Sequence, residues 1–204
     1  NGQAILMNNT TGASPKGDLP YIASFDLNTK TNSILWRSSE DNFEMVMEVI
    51  DINNLKVISR RETEKEVPNY YIRNIKRSLN PVSLTTFENP FKSIQNVHKE
   101  VIKYQREDGL ELSGILYLPT NYEKGKKYPM IVWAYPREYK DKNSAGQSTS
   151  NSNEFTYPSY RSPIFWVTRG YVMLDEAAFP IVGEGNEEPN DTFIKQLVAN
   201  GKAA

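Results

Sequence analysis

Short apolar segments separated by turn residues follow one another along the first third of the chain. The stretches between them are rich in Asn, Asp and Thr, as in the turn Asn28–Asn32. Strands of this length and spacing are typical of an antiparallel sandwich, a barrel or the blades of a propeller. The combination of Phe25-Asp26-Leu27 with Leu35-Trp36 favours propeller blades, with any other antiparallel sheet as the alternative. The predicted strands are Ile22–Leu27, Ser33–Arg37, Phe43–Ile52, Leu55–Arg60 and Asn69–Ile75.

A connector, Ser78–Val97, follows these strands and contains two Asn-Pro breakers. Beyond it, Asp108-Gly109 is a hairpin signal between the predicted strands Lys99–Gln105 and Leu110–Leu118. The polar run Asp141–Asn153 is rich in Ser and Asn and predicts a loop.

The remaining apolar segments predict buried strands and helices. Met130–Tyr135 and Tyr171–Leu174 are apolar without alternation, as strands buried on both faces are. Helices are predicted over Ser162–Thr168 and from Asn190 or Asp191 onward. The order of hairpin, strand, helix, strand and helix predicts a mixed sheet that becomes parallel. In that class, ligands bind beyond the carboxyl ends of the strands.

Composition narrows the class of protein without naming an activity. The chain has 204 residues, 38% of them hydrophobic and 24% charged, which is typical of a soluble globular protein. The formal net charge of -1 argues against a nucleic-acid-binding surface, and no apolar run is long enough to span a membrane. The chain has no cysteine, which excludes disulfides, zinc–thiolate sites and thiol catalysis. The compartment stays open, and an exported or periplasmic location is compatible with a bacterial source.

The second half of the chain resembles a known family of enzymes. From Val101 onward it is similar to the start of the catalytic domain of the prolyl-oligopeptidase family of serine peptidases, above all to the glutamyl endopeptidase group. The likeness is looser before residue 97, where the strands fit the last part of that family's β-propeller. The segments that carry the resemblance are Tyr104–Gly109, Leu116–Pro119, Tyr135–Lys140, Ala145–Gln147, Asn153–Phe155, Pro180–Gly185, Glu187-Glu188, Asn190-Asp191 and Gln196–Val198.

This resemblance implies a domain order. Residues 1–97 would hold the C-terminal part of a β-propeller and the connector, and residues 98–204 the N-terminal part of an α/β-hydrolase domain. The expected fold class is therefore mixed, with antiparallel β structure followed by the first part of an α/β-hydrolase sheet. The sequence contains no Gly-x-Ser-x-Gly motif, the elbow on which such hydrolases carry their nucleophile. We therefore expect the chain to be a fragment that ends before the elbow.

The resemblance transfers one catalytic role to a residue of this chain. In these peptidases a Tyr hydroxyl at the end of the corresponding strand helps to form the oxyanion hole, and the matching position is Tyr135. The triad Ser, Asp and His have no matching positions here. The alternatives are that Tyr135 only packs its ring at the strand end, or that Tyr139 is the functional residue.

For the other candidate side chains, an ordinary structural role is an alternative to a functional one. Arg137 could bind a substrate carboxylate, which would suit cleavage after Glu, but a surface arginine is the simpler reading. His98 is expected to be a surface residue, because a catalytic His follows the nucleophile in this fold. A cation or a substrate amine could be held by an acidic loop, although its spacing matches no calcium loop: Glu184, Glu187, Glu188 and Asp191.

The sequence thus predicts the parent to be a serine peptidase that acts on peptides without cofactor or metal. The fragment alone should be inactive. Two alternatives stay open, an esterase on the same fold and a non-catalytic β-rich binding or surface module. We further expect Tyr171–Leu174 to be a central strand whose next neighbour would come after Ala204. Its open edge would then promote self-association.

Overall fold

The computed structural model describes residues 3–147, 150–160 and 162–204. Asn1, Gly2, Ser148, Thr149 and Arg161 lie outside this description, and so does the corresponding part of the predicted loop 141–153. Two compact units divide the chain. The first runs to Pro90 and includes the later segment Asn153–Thr156, and the second contains the rest.

Two antiparallel sheets form the first unit. The first sheet has three strands and the second has four, each in the order of the sequence. The strands are β1 (Ala4–Asn9), β2 (Tyr21–Asp26), β3 (Thr31–Arg37), β4 (Phe43–Asp51), β5 (Lys56–Glu62), β6 (Asn69–Asn74) and β7 (Val82–Ser83). Antiparallel meanders of this kind are the expected product of strands separated by short turns.

A shared apolar cluster and a buried ion pair hold the two sheets together. Ile22 of β2 packs with Val46 and Val57 of the second sheet, and all three are at most 2% exposed. Arg73 donates two hydrogen bonds to the buried Glu44 carboxylate, from Nε at 3.0 Å and from Nη2 at 2.7 Å. The same guanidinium lies 5.3 Å from the ring centre of Trp36 in β3. A charge taken out of water needs such partners.

A mixed four-stranded sheet is the centre of the second unit. Its strands are β8 (His98–Gln105), β9 (Glu111–Leu118), β10 (Met130–Tyr139) and β11 (Val172–Val182), in the spatial order β10-β11-β9-β8. The β8–β9 and β9–β11 pairs are antiparallel, whereas β10 and β11 are parallel. The predicted hairpin and the change to parallel pairing are both confirmed.

Helices in the second unit are short. A 3-10 turn spans Lys92–Ile94, α1 spans Lys142–Ala145, a 3-10 helix spans Pro163–Arg169, another spans Pro189–Thr192, and α2 spans Phe193–Ala203. The Pro163–Arg169 helix begins after the capping hydroxyl of Ser162 and ends at Gly170. No helix among the described residues is long and apolar enough to cross a membrane.

The two faces of β9 carry separate cores, as alternation along a strand requires. Ile115 and Tyr117 pack on Met173 and on the Pro163–Arg169 helix. Leu112 faces the other side and packs with Val182 and Ala145 of α1. The sheet is therefore covered on both faces at β9 and β11, as predicted for the segment Tyr171–Leu174. The prediction that Met130–Tyr135 is also buried on both faces is wrong, because β10 is an edge strand that exposes Met130, Val132, Trp133 and Tyr135.

Several elements differ from the sequence prediction. The strand predicted over Met130–Tyr135 continues to Tyr139, because β10 is an edge strand and an edge tolerates Pro136. The strand predicted over Tyr171–Leu174 begins at Val172 and continues to Val182 as β11, which is central as expected. The prediction that β11 awaits a neighbour after Ala204 is wrong, because β9 and β10 already pair with it. Among the described strands, the two edges of this sheet are β10 and β8.

Some further elements were not predicted. The strand β1 precedes the first predicted strand, β7 and the 3-10 turn Lys92–Ile94 lie in the predicted connector, and the single turn of α1 lies in the predicted loop. The Asp141 side chain caps α1 by accepting a hydrogen bond from the Ser144 amide at 2.8 Å. A polar segment with Asp at its start can therefore still form a helical turn.

Candidate functional site

A cavity of about 200 Å³ lies along the later halves of β10 and β11. Its lining includes Tyr135, Arg137 and Tyr139 from β10, and Glu176 and Phe179 from β11. The parallel pairing carries both strands in the same direction, so their carboxyl ends meet at one edge of the sheet. This is the edge at which sheets of this class bind ligands.

The pleat of β10 places three polar side chains on the cavity side. Tyr135, Arg137 and Tyr139 are two residues apart, and such residues share one face of a strand. Their partners in β11 are Ala178, Pro180 and Val182, which anchor them against a central strand. The sequence therefore sets their common direction by spacing alone.

Tyr135 is exposed, with 80% of its surface open to solvent. It lies inside β10 and not at the end of the strand, which corrects the expected position. Among the described residues, no hydrogen bond of its hydroxyl is found. A phenol in this position can donate to an oxygen atom that enters the cavity. Its part in an oxyanion hole remains a prediction.

Arg137 and Tyr139 differ in burial. Arg137 is exposed, lines the cavity and makes no ion pair with another described residue. A guanidinium without a partner can bind a carboxylate through two parallel hydrogen bonds. Tyr139 is half-buried and packs against the apolar cluster around Leu112. The geometry thus gives Tyr139 a packing role and leaves Arg137 available to a ligand.

Two adjacent carboxylates in β11 were not identified from the sequence. Asp175 pairs with Ile115 of β9, and burial raises the pKa of its carboxyl. Glu176 is exposed, lines the cavity and has a backbone φ of 49°. The signal that could have revealed them is the Asp-Glu pair itself, which interrupts an otherwise apolar strand.

The acidic loop is used in local contacts. Lys140 Nζ lies 2.5 Å from Glu188 Oε2, and Lys142 Nζ lies 3.6 Å from Glu184 Oε2. Asp191 accepts a hydrogen bond from the Glu188 amide at 3.0 Å, as a helix cap does. No group of three His, Cys, Asp or Glu side chains in the described part of the chain is placed to hold a metal ion.

His98 begins β8, on the far side of the sheet order from β10. Its side chain is 53% exposed, and Nε2 lies 3.6 Å from Glu100 Oε1. It does not line the cavity. These contacts agree with the expectation of a surface residue.

Comparison with curated proteins relates the chain to plant peptidases. It is 36% identical over 211 residues to a probable chloroplastic glutamyl endopeptidase of Oryza sativa subsp. japonica, in an alignment that covers 98% of this chain and 22% of the relative. A protein of the same description from Arabidopsis thaliana is 34% identical over 214 residues, with coverage of 100% and 22%. The chain therefore spans about a fifth of the length of these relatives. No family model matches the chain.

Solved structures share the fold at low sequence identity. Dipeptidyl peptidase 4 of Porphyromonas gingivalis matches with a TM-score of 0.53 and 12% identity, over 87% of this chain and 24% of that protein. The acylaminoacyl peptidase of Pyrococcus horikoshii matches with a TM-score of 0.50 and 16% identity, over 93% and 25%. At this level of identity the likeness concerns the fold alone.

Proposed function

We propose that the chain belongs to the glutamyl endopeptidase group of the prolyl-oligopeptidase family and that the complete polypeptide is a serine peptidase. In this proposal the first unit is the end of a β-propeller and the second is the start of the α/β-hydrolase domain. The Ser, His and Asp of the triad would lie in the remaining part of the polypeptide. The observation that carries the proposal is the similarity along 98% of the chain to a glutamyl endopeptidase, together with an exposed Tyr135 in the cavity.

The proposed mechanism gives this chain one catalytic group. The nucleophilic Ser attacks the peptide carbonyl while His takes its proton, and the carbonyl oxygen becomes an oxyanion. The Tyr135 hydroxyl donates a hydrogen bond to that oxygen, and a backbone N–H beside the Ser provides the second donor. A fixed donor stabilises the tetrahedral intermediate more than the ground state, because the charge develops only during the reaction.

Arg137 supplies the preference for an acidic side chain in this proposal. It lies two residues from Tyr135 on the same face of β10 and lines the same cavity. The guanidinium could therefore bind the Glu carboxylate on the acyl side of the scissile bond. Cleavage after Glu agrees with the description of the two plant relatives.

Steady-state kinetics of the complete enzyme test the role of Tyr135. The variant Tyr135→Phe keeps the ring and removes the donor, so kcat should fall by about 10²–10³ with little change in folding. Tyr139→Phe is the matched control and should have a much smaller effect. Equal activity of Tyr135→Phe and the wild type would remove Tyr135 from the mechanism.

The substrate class is tested by a panel of peptides and simple esters. Peptides with Glu before the scissile bond should be cleaved in preference to Gln peptides, and Arg137→Gln should abolish the difference. Turnover of esters alone would favour an esterase, and no turnover of either would favour a binding module. The 204-residue chain by itself should hydrolyse neither substrate, because it lacks the elbow motif. Turnover by a contaminant-free sample of this chain would contradict that expectation.

A further inference from the structure

An irregularity in the pairing of β10 with β11 turns Glu176 towards the cavity. Val132 pairs with Leu174, but the next pair joins Ala134 to Ala177, so β11 has one residue more than β10 in this interval. Glu176 is one of the residues in the enlarged interval. Such a bulge changes the direction of a side chain and is frequent beside active sites.

The backbone of Glu176 is strained. Its φ of 49° lies in the left-handed region, which costs about 1–2 kcal/mol for a residue with a Cβ. The other non-glycine residues with positive φ in the described part of the chain, Lys30, Leu55 and Ser78, lie in turns. Only Glu176 among these four lies inside a strand. A strained residue that lines a cavity points to a function for its side chain.

The environment of Glu176 leaves its carboxylate available to a ligand. The Glu176 amide donates to Oδ1 of Asp175 at 3.0 Å, which helps to fix the bulge. The Glu176 side chain is exposed and makes no ion pair with another described residue, Arg137 included. The cavity therefore presents one cation and one anion that do not neutralise each other by direct contact.

We propose that Glu176 is a specificity-determining residue that binds a cationic nitrogen group of the substrate in the cavity lined by Tyr135. The group is a Lys or Arg side chain near the scissile bond, or a free α-amino terminus. The inference rests on the proposed peptidase function and adds a second charge requirement to it. An acidic side chain binds Arg137, and a neighbouring cation binds Glu176.

Matched peptides cleaved by the complete enzyme test this role. The peptides share one scissile bond and carry Lys or acetyl-lysine in turn at each flanking position, with a free or acetylated N-terminus. The Lys peptide should be cleaved with a kcat/KM about two- to fivefold above that of its acetyl-lysine partner at one or more positions, as expected for an exposed ion pair. The ratio should fall as the salt concentration rises. If the ligand is the α-amino group, the ratio follows acetylation of the N-terminus instead.

Variants of Glu176 separate charge from backbone. The ratio should fall to about one in Glu176→Gln and in Glu176→Gly, because both variants lack the carboxylate. Gly also accepts the positive φ without strain, so the two variants differ in the backbone but not in charge. Glu176→Lys should reverse the preference, so that a peptide with Glu in place of the Lys is cleaved better than the Lys peptide. Glu138→Gln is the matched control, because Glu138 is exposed on β10 and does not line the cavity, and its ratio should equal that of the wild type.

The outcomes distinguish this inference from the proposed function. Cleavage of the peptides with equal efficiency in every charge state would overturn the role of Glu176 and leave the peptidase proposal intact. A preference that persists in Glu176→Gln would also overturn it. Absence of cleavage of every peptide by the complete wild-type enzyme would overturn both.

Discussion

Arg106 Nη1 donates a hydrogen bond of 2.8 Å to Asn200 Oδ1, although the two residues are 94 positions apart. Both side chains are buried, and each also bonds to the carbonyl of Pro180 in β11. The contact fixes α2 against the turn between β8 and β9. This polar contact thus joins the first hairpin of the second unit to its last helix.

The first prediction concerns this link. Asn200→Ala should lower the free energy of unfolding by about 2–3 kcal/mol, because it leaves a buried guanidinium N–H without its best acceptor. Asn190→Ala is the control, since Asn190 is exposed and should change stability by less than about 0.5 kcal/mol. Urea unfolding followed by circular dichroism measures both. An Asn200→Ala variant as stable as the control would show that the link contributes little.

The second prediction concerns the dependence of stability on pH. Hydrogen bonds from Arg106 lower the pKa of Asp108 from 3.8 to about 2. Because the folded pKa lies below the unfolded one, this stabilisation is present above about pH 4 and is lost as the pH falls towards 2. The Asp108 side chain is 45% exposed, so we expect a contribution of about 1 kcal/mol after solvent screening.

Asp108→Asn isolates this contribution. The difference in unfolding free energy between the wild type and Asp108→Asn should be constant from pH 7 to pH 5 and shrink below pH 4. Asp41→Asn, at an exposed turn position, provides the reference for a general loss of charge. A difference that does not change with pH would refute the assignment.

Local signals allowed much of this fold to be predicted. The hairpin at Asp108-Gly109 follows from turn chemistry, and the short helix after Ser162 follows from its cap and from Gly170. Each depends on residues only a few positions apart. The spacing of Tyr135 and Arg137 is local in the same sense, since it puts both side chains on one face wherever the strand continues past Tyr135.

The order of the strands and the position of Glu176 in the site depend on residues that are distant in the sequence. Nothing in the sequence of β11 shows that β9 and β10 lie on its two sides, so its open edge was assigned wrongly. Pro136 was taken to end the strand, because the sequence does not show that β10 lies at the edge of the sheet, where a proline is tolerated. Glu176 was missed for the same reason, since a bulge exists only relative to the partner strand.

The third prediction contrasts two glycines. A Cβ on Gly183 would lie 2.5 Å from the carbonyl oxygen of Glu187 and 2.6 Å from the nitrogen of Pro189, so backbone would have to move. Gly183→Ala should therefore destabilise the protein by about 1–3 kcal/mol. Gly201 lies in α2 with its nearest neighbour atom, on Phe179, at 4.0 Å. Gly201→Ala should stabilise it by about 0.5–1 kcal/mol, because Ala favours the helix. Thermal unfolding of the two variants should give shifts of opposite sign, and shifts of the same sign would contradict the packing described for Gly183.

The fourth prediction concerns the edge strand β10. Among the described strands it pairs only with β11, and it exposes Val132, Trp133 and Tyr135 along its length. An apolar edge with unpaired backbone groups is a template for another strand. We therefore expect the 204-residue chain to self-associate through β10, and light scattering at increasing concentration should show species larger than a monomer.

Val132→Lys should reduce this association, because a lysine on an edge strand opposes pairing. Ile194→Lys, a charge placed on an exposed position of α2, should leave it unchanged. A monomer at all concentrations would show that the β10 edge does not pair, and association that persists in Val132→Lys would assign the contact to another surface.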